Sequence, residues 1–467
     1  MAAEPRERSG TRTFLIIWFG QLISLIGSGL TSFALGVYIY NRTGAATQLA
    51  LSLVAASLPN LVLLPFAGAL VDRWDRRRVL ILSDTGAALV TLTFWALLAT
   101  GYLEVWHIYV GNALTSALGA FQRPAYMALP SLLVPKEQFG RVGGLMQLAD
   151  AASTVVAPLA AGFLIAVIGI QGVFLVDFAT FLFAVSTLLV VRIPRPSPQP
   201  GAAVDRGSLL RQAAFGWGYL RARRGLLGML ILFAIVNFAA GFYSALLTPL
   251  VLSRFRAEVL GSLLSISGLA MLVGSLVMSA WGGTSRKIFT LLGAISLSGL
   301  GMGAVGLRPD VLLMGVGNLF FFALVPIGNA ASQAIWLAKV ARDVQGRVFA
   351  ARMMIGSAIT PLAYLLAGPL ADRVAEPLMG EGGALAGTVG RILGVGPGRG
   401  IGLIIVLTGL VVAVAPLLAA SIRSIRRVEV ELPDAVTDSA IEARPQTSKH
   451  YDLQGSCEGF DRIGPAA

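Results

Sequence analysis

Residues 68–78 read GALVDRWDRRR and separate two long apolar runs of the chain. A helix end, a tight loop and a cluster of arginines follow one another within these eleven residues. Gly68 permits close helix packing, and Asp72 can accept hydrogen bonds from a neighbouring helix N-terminus or from an arginine. The stretch therefore predicts a short charged loop between two apolar helices, at which neighbouring helices exchange charged contacts.

The composition of the whole chain excludes a soluble enzyme. Of the 467 residues, 56% are hydrophobic and only 13% are charged, whereas a soluble domain carries about 25% charged residues. The formal net charge of +12 would suggest nucleic-acid binding in a soluble protein. In a multi-pass membrane protein, however, a basic excess belongs to the cytoplasmic loops. We therefore expect an integral membrane protein with no nucleic-acid partner.

The apolar runs are long enough for membrane-spanning helices, each of which needs about 20 residues to cross the hydrocarbon core. The first run is too long for a signal peptide, and no small-residue cleavage site follows it. Twelve spans are predicted, near residues 14–40, 48–71, 78–100, 105–129, 139–169, 172–192, 226–252, 258–283, 288–306, 310–337, 344–371 and 402–422.

The distribution of lysine and arginine predicts the orientation of these spans. With the N-terminus placed inside, 24 of these residues fall in inside segments and seven in outside loops, which predicts that both termini are cytoplasmic. We expect a bacterial inner-membrane location. The predicted organisation is a cytoplasmic N-terminus (1–13), a six-helix bundle (14–192), a cytoplasmic linker (193–225), a second six-helix bundle (226–422) and a disordered cytoplasmic tail (423–467).

The two halves share short sequence matches. Gly-Arg-Val opens the fifth span at residues 140–142 and the eleventh at 346–348, and Pro-Leu-Ala follows in both, at 158–160 and 361–363. Chance in an Ala/Leu/Gly-rich chain is the alternative explanation. Matched halves of six spans each are typical of transporters whose binding site lies between the halves near the middle of the membrane.

The loop at residues 68–78 resembles the signature of the major facilitator superfamily, Gly-x-x-x-Asp-Arg-x-x-Arg-Arg between the second and third spans. The positions that this signature fixes are filled here by Gly68, Asp72, Arg73, Arg76 and Arg77. The resemblance implies an all-α fold of two pseudo-symmetric six-helix bundles, with this motif as a conformational switch. An ordinary basic cytoplasmic loop is the alternative. The counterpart at residues 281–287 keeps glycine and basic residues but has no aspartate.

Other stretches narrow the resemblance to a bacterial efflux branch that includes macrolide-efflux-like and enterobactin-exporter-like proteins. Residues 18–27 and 396–400, with Pro158 and Gly162, carry it, and the likeness covers residues 14–422. In drug–proton antiporters a Gly-Pro motif bends the fifth span, and here Pro158 and Gly162 are the expected bend. Ala157 stands where that motif has glycine, which weakens the indication of export without reversing it.

Three aspartates within the spans are candidates for proton coupling, because an ionisable group in a span must be paired, wetted or functional. Asp150, near mid-depth in the fifth span, is the first choice; a structural pairing with Arg123 or Arg352 is the alternative. Asp84 suits a structural partner of the basic loop. Asp177 lies near the outer end of the sixth span, where a role in helix capping or in a helix interface fits as well as proton coupling.

Polar amides within the spans are candidates to line the substrate cavity, with hydrogen bonding between helices as the alternative for each. They are Gln21, Asn112, Gln147, Asn237, Asn318, Asn329 and Gln333. No metal site is expected, because His107, His450 and Cys457 are the only histidines and cysteine. The chain also lacks a phosphate-binding loop. We therefore expect no cofactor and no enzymatic activity.

Three functions fit these features to different degrees. The first is a monomeric secondary transporter that exports a small amphiphilic molecule, such as a drug, macrolide or siderophore, in exchange for protons. An importer or a lipid flippase of the same fold is the second. The third is a non-transporting membrane receptor or scaffold, with the linker and tail as docking surfaces.

Overall fold

The computed structural model describes residues 4–71, 74–135, 138–191, 217–340 and 344–432, and 88% of these described residues are helical. The N-terminal half contains α1 (Glu4–Thr43), α2 (Ala46–Val71), α3 (Arg76–Ala99), α4 (Val105–Met127), α5 (residues 139–168) and α6 (residues 170–190). The C-terminal half contains α7 (Arg224–Leu252), α8 (Ala257–Trp281), α9 (Lys287–Leu307), α10 (Val311–Lys339), α11 (Gln345–Leu370) and α12 (Arg399–Ser421). A π-helical turn (Ala371–Ala375) and a short helix (Glu376–Met379) prolong α11, and further short helices lie at Pro130–Leu133, Gly390–Leu393, Arg423–Arg426 and Val428–Glu431.

The chain reverses direction between α5 and α6. Residues Phe139–Val190 form two helices that meet at a kink, where Gly169 has φ 68° and ψ 177°, a backbone conformation that favours glycine. Trp18 Nε1 donates to the carbonyl oxygen of Leu145 at 2.8 Å, and Gly20 of α1 packs against Thr187. Both arms therefore lie beside the same part of α1, so this segment supplies two antiparallel helices.

The helices account for the predicted spans. Ten helices of the described chain are long and apolar enough to cross a membrane, with Phe139–Val190 counted once. Dividing that segment at Gly169 and adding α4, which has 23 residues, gives twelve. Helices suit this environment because they satisfy their backbone hydrogen bonds internally. The predicted all-α, twelve-helix architecture is confirmed.

The helices form two bundles, α1–α6 and α7–α12. In the first bundle, α1 packs on α5 and α6, α2 packs on α4, and α3 packs on α4 and α6. In the second bundle, α7 packs on α11 and α12, α8 packs on α10, and α9 packs on α10 and α12. Two pairs make the main contacts between the bundles, α2 with α11 and α5 with α8. We call the end that carries the α2–α3 loop the basic end and the other the far end.

The segment after α12 differs from its prediction. Disorder was expected from residue 423, but residues 423–432 are described and fold against the second bundle. Ile425 and Val428 are buried there. Glu429 accepts hydrogen bonds from the backbone N–H groups of Lys287 and Ile288, both at 3.0 Å. The predicted tail boundary is therefore wrong over these residues, because two apolar side chains and a cap for α9 hold the segment.

The remaining parts of the predicted tail and linker lie outside the described residues, at 433–467 and 193–216. The end of the linker is described from residue 217, where Leu220 is buried and the Arg223 guanidinium lies 3.6 Å from the centre of the Tyr219 ring. The second bundle begins at Arg224, two residues before its predicted start.

Candidate functional site

The bundles are closed against each other in the far half of the molecule. Asp372, just beyond α11, accepts hydrogen bonds from the first backbone N–H groups of α2, from Ala46 at 3.0 Å and from Thr47 at 2.7 Å. A methyl group at Gly368 would lie 2.4 Å from Thr47 Cα, so α11 and α2 approach as closely as glycine allows. Asp372 is not among the site residues predicted from the sequence, although residues 368–373 repeat the Gly-x-x-x-Asp-Arg spacing of residues 68–73.

The second closing contact joins α5 and α8. Ser265 Oγ donates to the carbonyl oxygen of Val155 at 2.7 Å. A methyl group at Gly261 would lie 2.4 Å from the carbonyl oxygen of Pro158, and one at Gly162 would lie 3.2 Å from that of Ala257. The expected bend at Pro158 and Gly162 therefore coincides with this contact, while the backbone between residues 139 and 190 leaves helical geometry only at Gly169.

In the basic half the same helices separate. Leu276 of α8 and Met353 of α11 are 71% and 69% exposed. Towards the far end, Leu263 of α8 and Ala367 of α11 are buried. The pairs α2–α11 and α5–α8 are thus packed towards the far end, while α8 and α11 expose side chains towards the basic end. We interpret this arrangement as a cleft between the two bundles that opens at the basic end.

The first bundle contributes a cavity of about 280 Å³ to this cleft. Its polar lining includes Gln21, Gln122, Arg123 and Asp150. Asp150 is exposed there, and within 4 Å no described cation pairs with its carboxylate. The alternative pairing of Asp150 with Arg123 or Arg352 is therefore not formed in this conformation.

Asp84 lies behind the wall of the same cavity and is fully buried. Its carboxylate accepts from Gln21 Nε2 at 2.8 Å and from Gln122 Nε2 at 2.5 Å. The expected partner was the basic loop, but its described partners are these two amides. Gln122 was not selected from the sequence, although the adjacent polar pair Gln122-Arg123 in an apolar span was an available signal.

Asp177 is buried inside the first bundle, away from the lining of the cavity. It accepts hydrogen bonds from Thr31 Oγ1 at 2.6 Å and from Thr91 Oγ1 at 3.1 Å. Thr180 Oγ1 lies 3.4 Å from its other carboxylate oxygen. Asp177 thereby ties α1, α3 and α6 together.

The second bundle contributes a cavity of about 460 Å³, and no acidic residue is among the described side chains that line it. Arg352 donates from Nη1 to Gln333 Oε1 at 3.1 Å and from Nη2 to Ser332 Oγ at 3.3 Å. Its guanidinium carbon lies 5.0 Å from the Trp336 ring and 5.6 Å from the Phe233 ring, within the range of cation–π contacts. This wall thus combines one cation, amides and aromatic surface.

The amide candidates divide into two groups. Four line the cavities, and these are Gln21, Asn237, Asn329 and Gln333. Asn112 and Asn318 join helices instead: Asn112 Nδ2 donates to Ser52 Oγ at 2.9 Å, and buried Asn318 donates to Ser267 Oγ and accepts from the Tyr243 hydroxyl, both at 2.6 Å. Gln147 is exposed on α5 outside both linings.

The predicted switch motif is described only in part. Asp72 and Arg73 lie outside the described residues, and Gly68 is in the last turns of α2. Arg76 begins α3. Arg77 donates from Nε and Nη2 to the carbonyl oxygens of Leu188 and Leu189, both at 2.8 Å, so it binds the C-terminal carbonyls of α6, where a cation is favoured.

Comparison with known proteins identifies the family. The model of the Major Facilitator Superfamily matches residues 17–364. Macrolide efflux protein A of Streptococcus pyogenes is 28% identical over 376 residues, which cover 77% of this chain and 90% of that protein. The multidrug efflux pump Tap of Mycolicibacterium fortuitum is 28% identical over 379 residues, which cover 77% of this chain and 89% of the pump.

Solved structures show the same fold at low sequence identity. A bacterial homologue of the human lysosomal transporter Spinster, in an inward-facing and unoccupied conformation, matches with a TM-score of 0.67 and 13% identity, over 90% of this chain and 98% of that one. A bacterial homologue of the iron transporter ferroportin, in an inward-facing state, matches with a TM-score of 0.61 and 13% identity, over 87% and 98%.

Proposed function

Because the chain belongs to the major facilitator superfamily, we propose that it is a proton-driven exporter of small amphiphilic molecules that works by alternating access. The family makes it a multi-pass membrane transporter and not an enzyme. The efflux direction is supported by the relatives that carry the names macrolide efflux protein and multidrug efflux pump. The observation that carries the proposal is the cleft, closed at the far end and lined at the basic end by one cavity from each bundle.

The orientation follows from the loop charges. Lysine and arginine concentrate at the basic end, including Arg76, Arg77 and Arg78 in the first turn of α3, and such basic segments remain cytoplasmic. With the basic end inside the cell, the cleft opens to the cytoplasm. This is the conformation in which an exporter takes up its substrate.

The two walls of the cleft suit an amphiphile with hydrogen-bonding groups. The Asp150 carboxylate in the first wall can pair with a positively charged or hydroxyl-rich group. The second wall offers the Phe233 ring and the amides of Asn237, Asn329 and Gln333. Macrolides and cationic dyes combine such groups, and we propose them as the first substrates to test.

Proton coupling is assigned to the carboxylates of the first wall. Asp150 is open to the cleft, and its carboxylate has no described ion-pair partner. Asp84 is held by neutral amide donors and has no described cation beside it, so its charge depends on whether the cleft admits water. Gln21 and Gln122 bind Asp84 and line the same cavity as Asp150. We place the exchanged proton on Asp150, with Asp84 as the second site.

The experiment compares efflux in a drug-sensitive bacterial strain that expresses the wild type, Asp150→Asn or Asp84→Asn. Asp310→Asn is the matched control, because Asp310 caps α10 at the far end through Leu313 N at 2.8 Å and asparagine also caps helices well. The wild type and the control should lower the intracellular macrolide or dye, and a protonophore should abolish the effect.

Asp150→Asn should lose the proton dependence. Full proton-dependent export by this variant would disprove the coupling assignment. Counterflow in inside-out vesicles tests the direction, and uptake towards the basic end would favour an importer. A chain that moves none of the antibiotics, dyes, siderophores or lipids supplied would favour a receptor or scaffold.

A further inference from the structure

A small cavity at the far end of the second bundle is surrounded by positive charge. It lies where the end of α7, the α9–α10 loop and the start of α12 meet. Arg254, Arg308 and Arg399 all line it. We call it the arginine cavity; it lies outside the lining of both cavities of the cleft.

Arg399 forms the base of the arginine cavity and is 2% exposed. Its Nη2 donates to the carbonyl oxygen of Gly306 at 2.7 Å. Its Nε and Nη1 are buried with no hydrogen-bond partner among the described residues. A methyl group at Gly402 would lie 2.1 Å from Nη2, so the guanidinium is packed tightly and cannot turn its free donors to solvent. Unsatisfied buried donors on a charged group are strongly destabilising.

No described acid forms an ion pair with this guanidinium, although the carboxylate of Glu376 attracts it at longer range. Glu376 lies nearby, but its carboxylate oxygens accept from the backbone N–H groups of Gly398 at 3.1 Å and Ile401 at 2.9 Å. It forms no ion pair with Arg399 within 4 Å. Arg254 on the rim donates to backbone carbonyls of the α11–α12 loop. The positive end of α12 also begins here, so the arginine cavity has a local excess of positive charge.

We propose that the arginine cavity binds one small monovalent anion of the size of chloride. The anion accepts the free N–H groups of Arg399 and neutralises its buried charge. The cavity volume of about 10 Å³ is close to the least that holds one water-sized body. A cavity this small favours a monatomic anion over phosphate, sulfate and lipid headgroups, each of which carries four oxygens around its centre. The bound anion would fix the start of α12 against α7 and the α9–α10 loop.

The experiment measures the unfolding temperature of the purified full-length protein in detergent, followed by its tryptophan fluorescence. Chloride replaces gluconate stepwise at constant sodium and ionic strength. The wild type should show a saturable rise in unfolding temperature with chloride, as expected when a ligand binds only the folded state. Bromide should reproduce the rise, and sulfate at equal ionic strength should not.

Two variants and one control locate the effect. Arg399→Gln should lose the chloride-dependent rise. Arg308→Gln, a change at the exposed rim, should raise the half-saturating chloride concentration about tenfold, the effect of weakening one charged hydrogen bond. Arg256→Gln is the matched control, because Arg256 lies at the same end with its side chain 84% exposed, and it should respond as the wild type does.

A direct measurement covers the case in which Arg399→Gln does not fold. The ³⁵Cl NMR signal of a chloride solution should broaden in the presence of the wild type, and bromide should reverse the broadening. Chloride-independent unfolding of the wild type, an unchanged response in Arg308→Gln, or no broadening would each overturn the proposal. The site does not depend on the proposed export, so a protein that exports nothing could still bind the anion.

Discussion

The contact between Asp372 and the start of α2 is the most direct test of how the far end is held closed. The carboxylate belongs to the second bundle, and the two backbone N–H groups that it binds belong to the first. Alternating access requires this contact to break whenever the far end opens. Asp372→Asn keeps the shape of the side chain but removes its charge and one of its two acceptors.

The magnitude follows from the two hydrogen bonds, at 3.0 Å from Ala46 and 2.7 Å from Thr47. A hydrogen bond to a charged group contributes about 1.5–3 kcal/mol, and a negative charge at a helix N-terminus typically about 0.3–1 kcal/mol. Asparagine keeps one acceptor, so the closed state should lose about 1.5–3 kcal/mol. At about 1.4 kcal/mol per tenfold change, the ratio of far-end-open to far-end-closed molecules should rise roughly 10- to 100-fold.

Distance measurements between spin labels can read this ratio. Arg42 in the first bundle and Glu381 in the second are exposed at the far end, so Arg42→Cys and Glu381→Cys provide label sites in a Cys457→Ser background. The substrate concentration is chosen so that the doubly labelled protein with Asp372 intact shows both a short distance, from the far-end-closed state, and a long one, from the far-end-open state. Under these conditions Asp372→Asn should increase the fraction of molecules with the long distance. Asp310→Asn at the same end should leave it unchanged. Equal populations in the background and in Asp372→Asn would refute the view that this contact holds the far end closed.

Three further substitutions test other contacts. Gly368→Ala places a methyl carbon 2.4 Å from Thr47 Cα and should lower vesicle transport at least tenfold at unchanged expression. The control Gly293→Ala adds a methyl group with nothing within 4 Å and should transport normally, so equal rates in the two variants would contradict the close packing of α2 and α11. Asn318→Ala leaves the Tyr243 hydroxyl without its acceptor and should lower the folding stability by about 1–3 kcal/mol, measured as a lower unfolding temperature. An unchanged unfolding temperature would contradict the role of Asn318 in joining the helices. Glu429→Gln weakens the cap on α9 by about 0.3–1 kcal/mol and should speed tryptic cleavage at residues 423–427; cleavage at the wild-type rate would contradict the docking of this segment.

The sequence was sufficient to predict the twelve-helix fold, because the need for about 20 apolar residues per crossing leaves few alternatives. Composition gave the wrong prediction, however, for residues 423–432. Their polar composition predicts disorder, and only the tertiary contacts of Ile425, Val428 and Glu429 hold them in place.

The site was less predictable, because an amide has the same chemistry wherever its helix face points. Asn318 and Asn329 lie on one helix, eleven positions apart, yet the first joins α7, α8 and α10 while the second lines a cavity. Only the rotation of α10 against its neighbours decides between these roles. Asp84 shows the same limit, since its buried amide partners come from α1 and α4.

Uptake of a labelled substrate into inside-out vesicles with an imposed proton gradient tests the central claim most directly. In such vesicles the basic end faces the bath and the far end faces the lumen, which is acidified. We predict that the wild type concentrates the substrate in the lumen, that a protonophore collapses this accumulation, and that Asp150→Asn does not accumulate it above its equilibrium level. Accumulation that persists after the gradient is dissipated, or substrate movement only from lumen to bath, would contradict a proton-driven exporter.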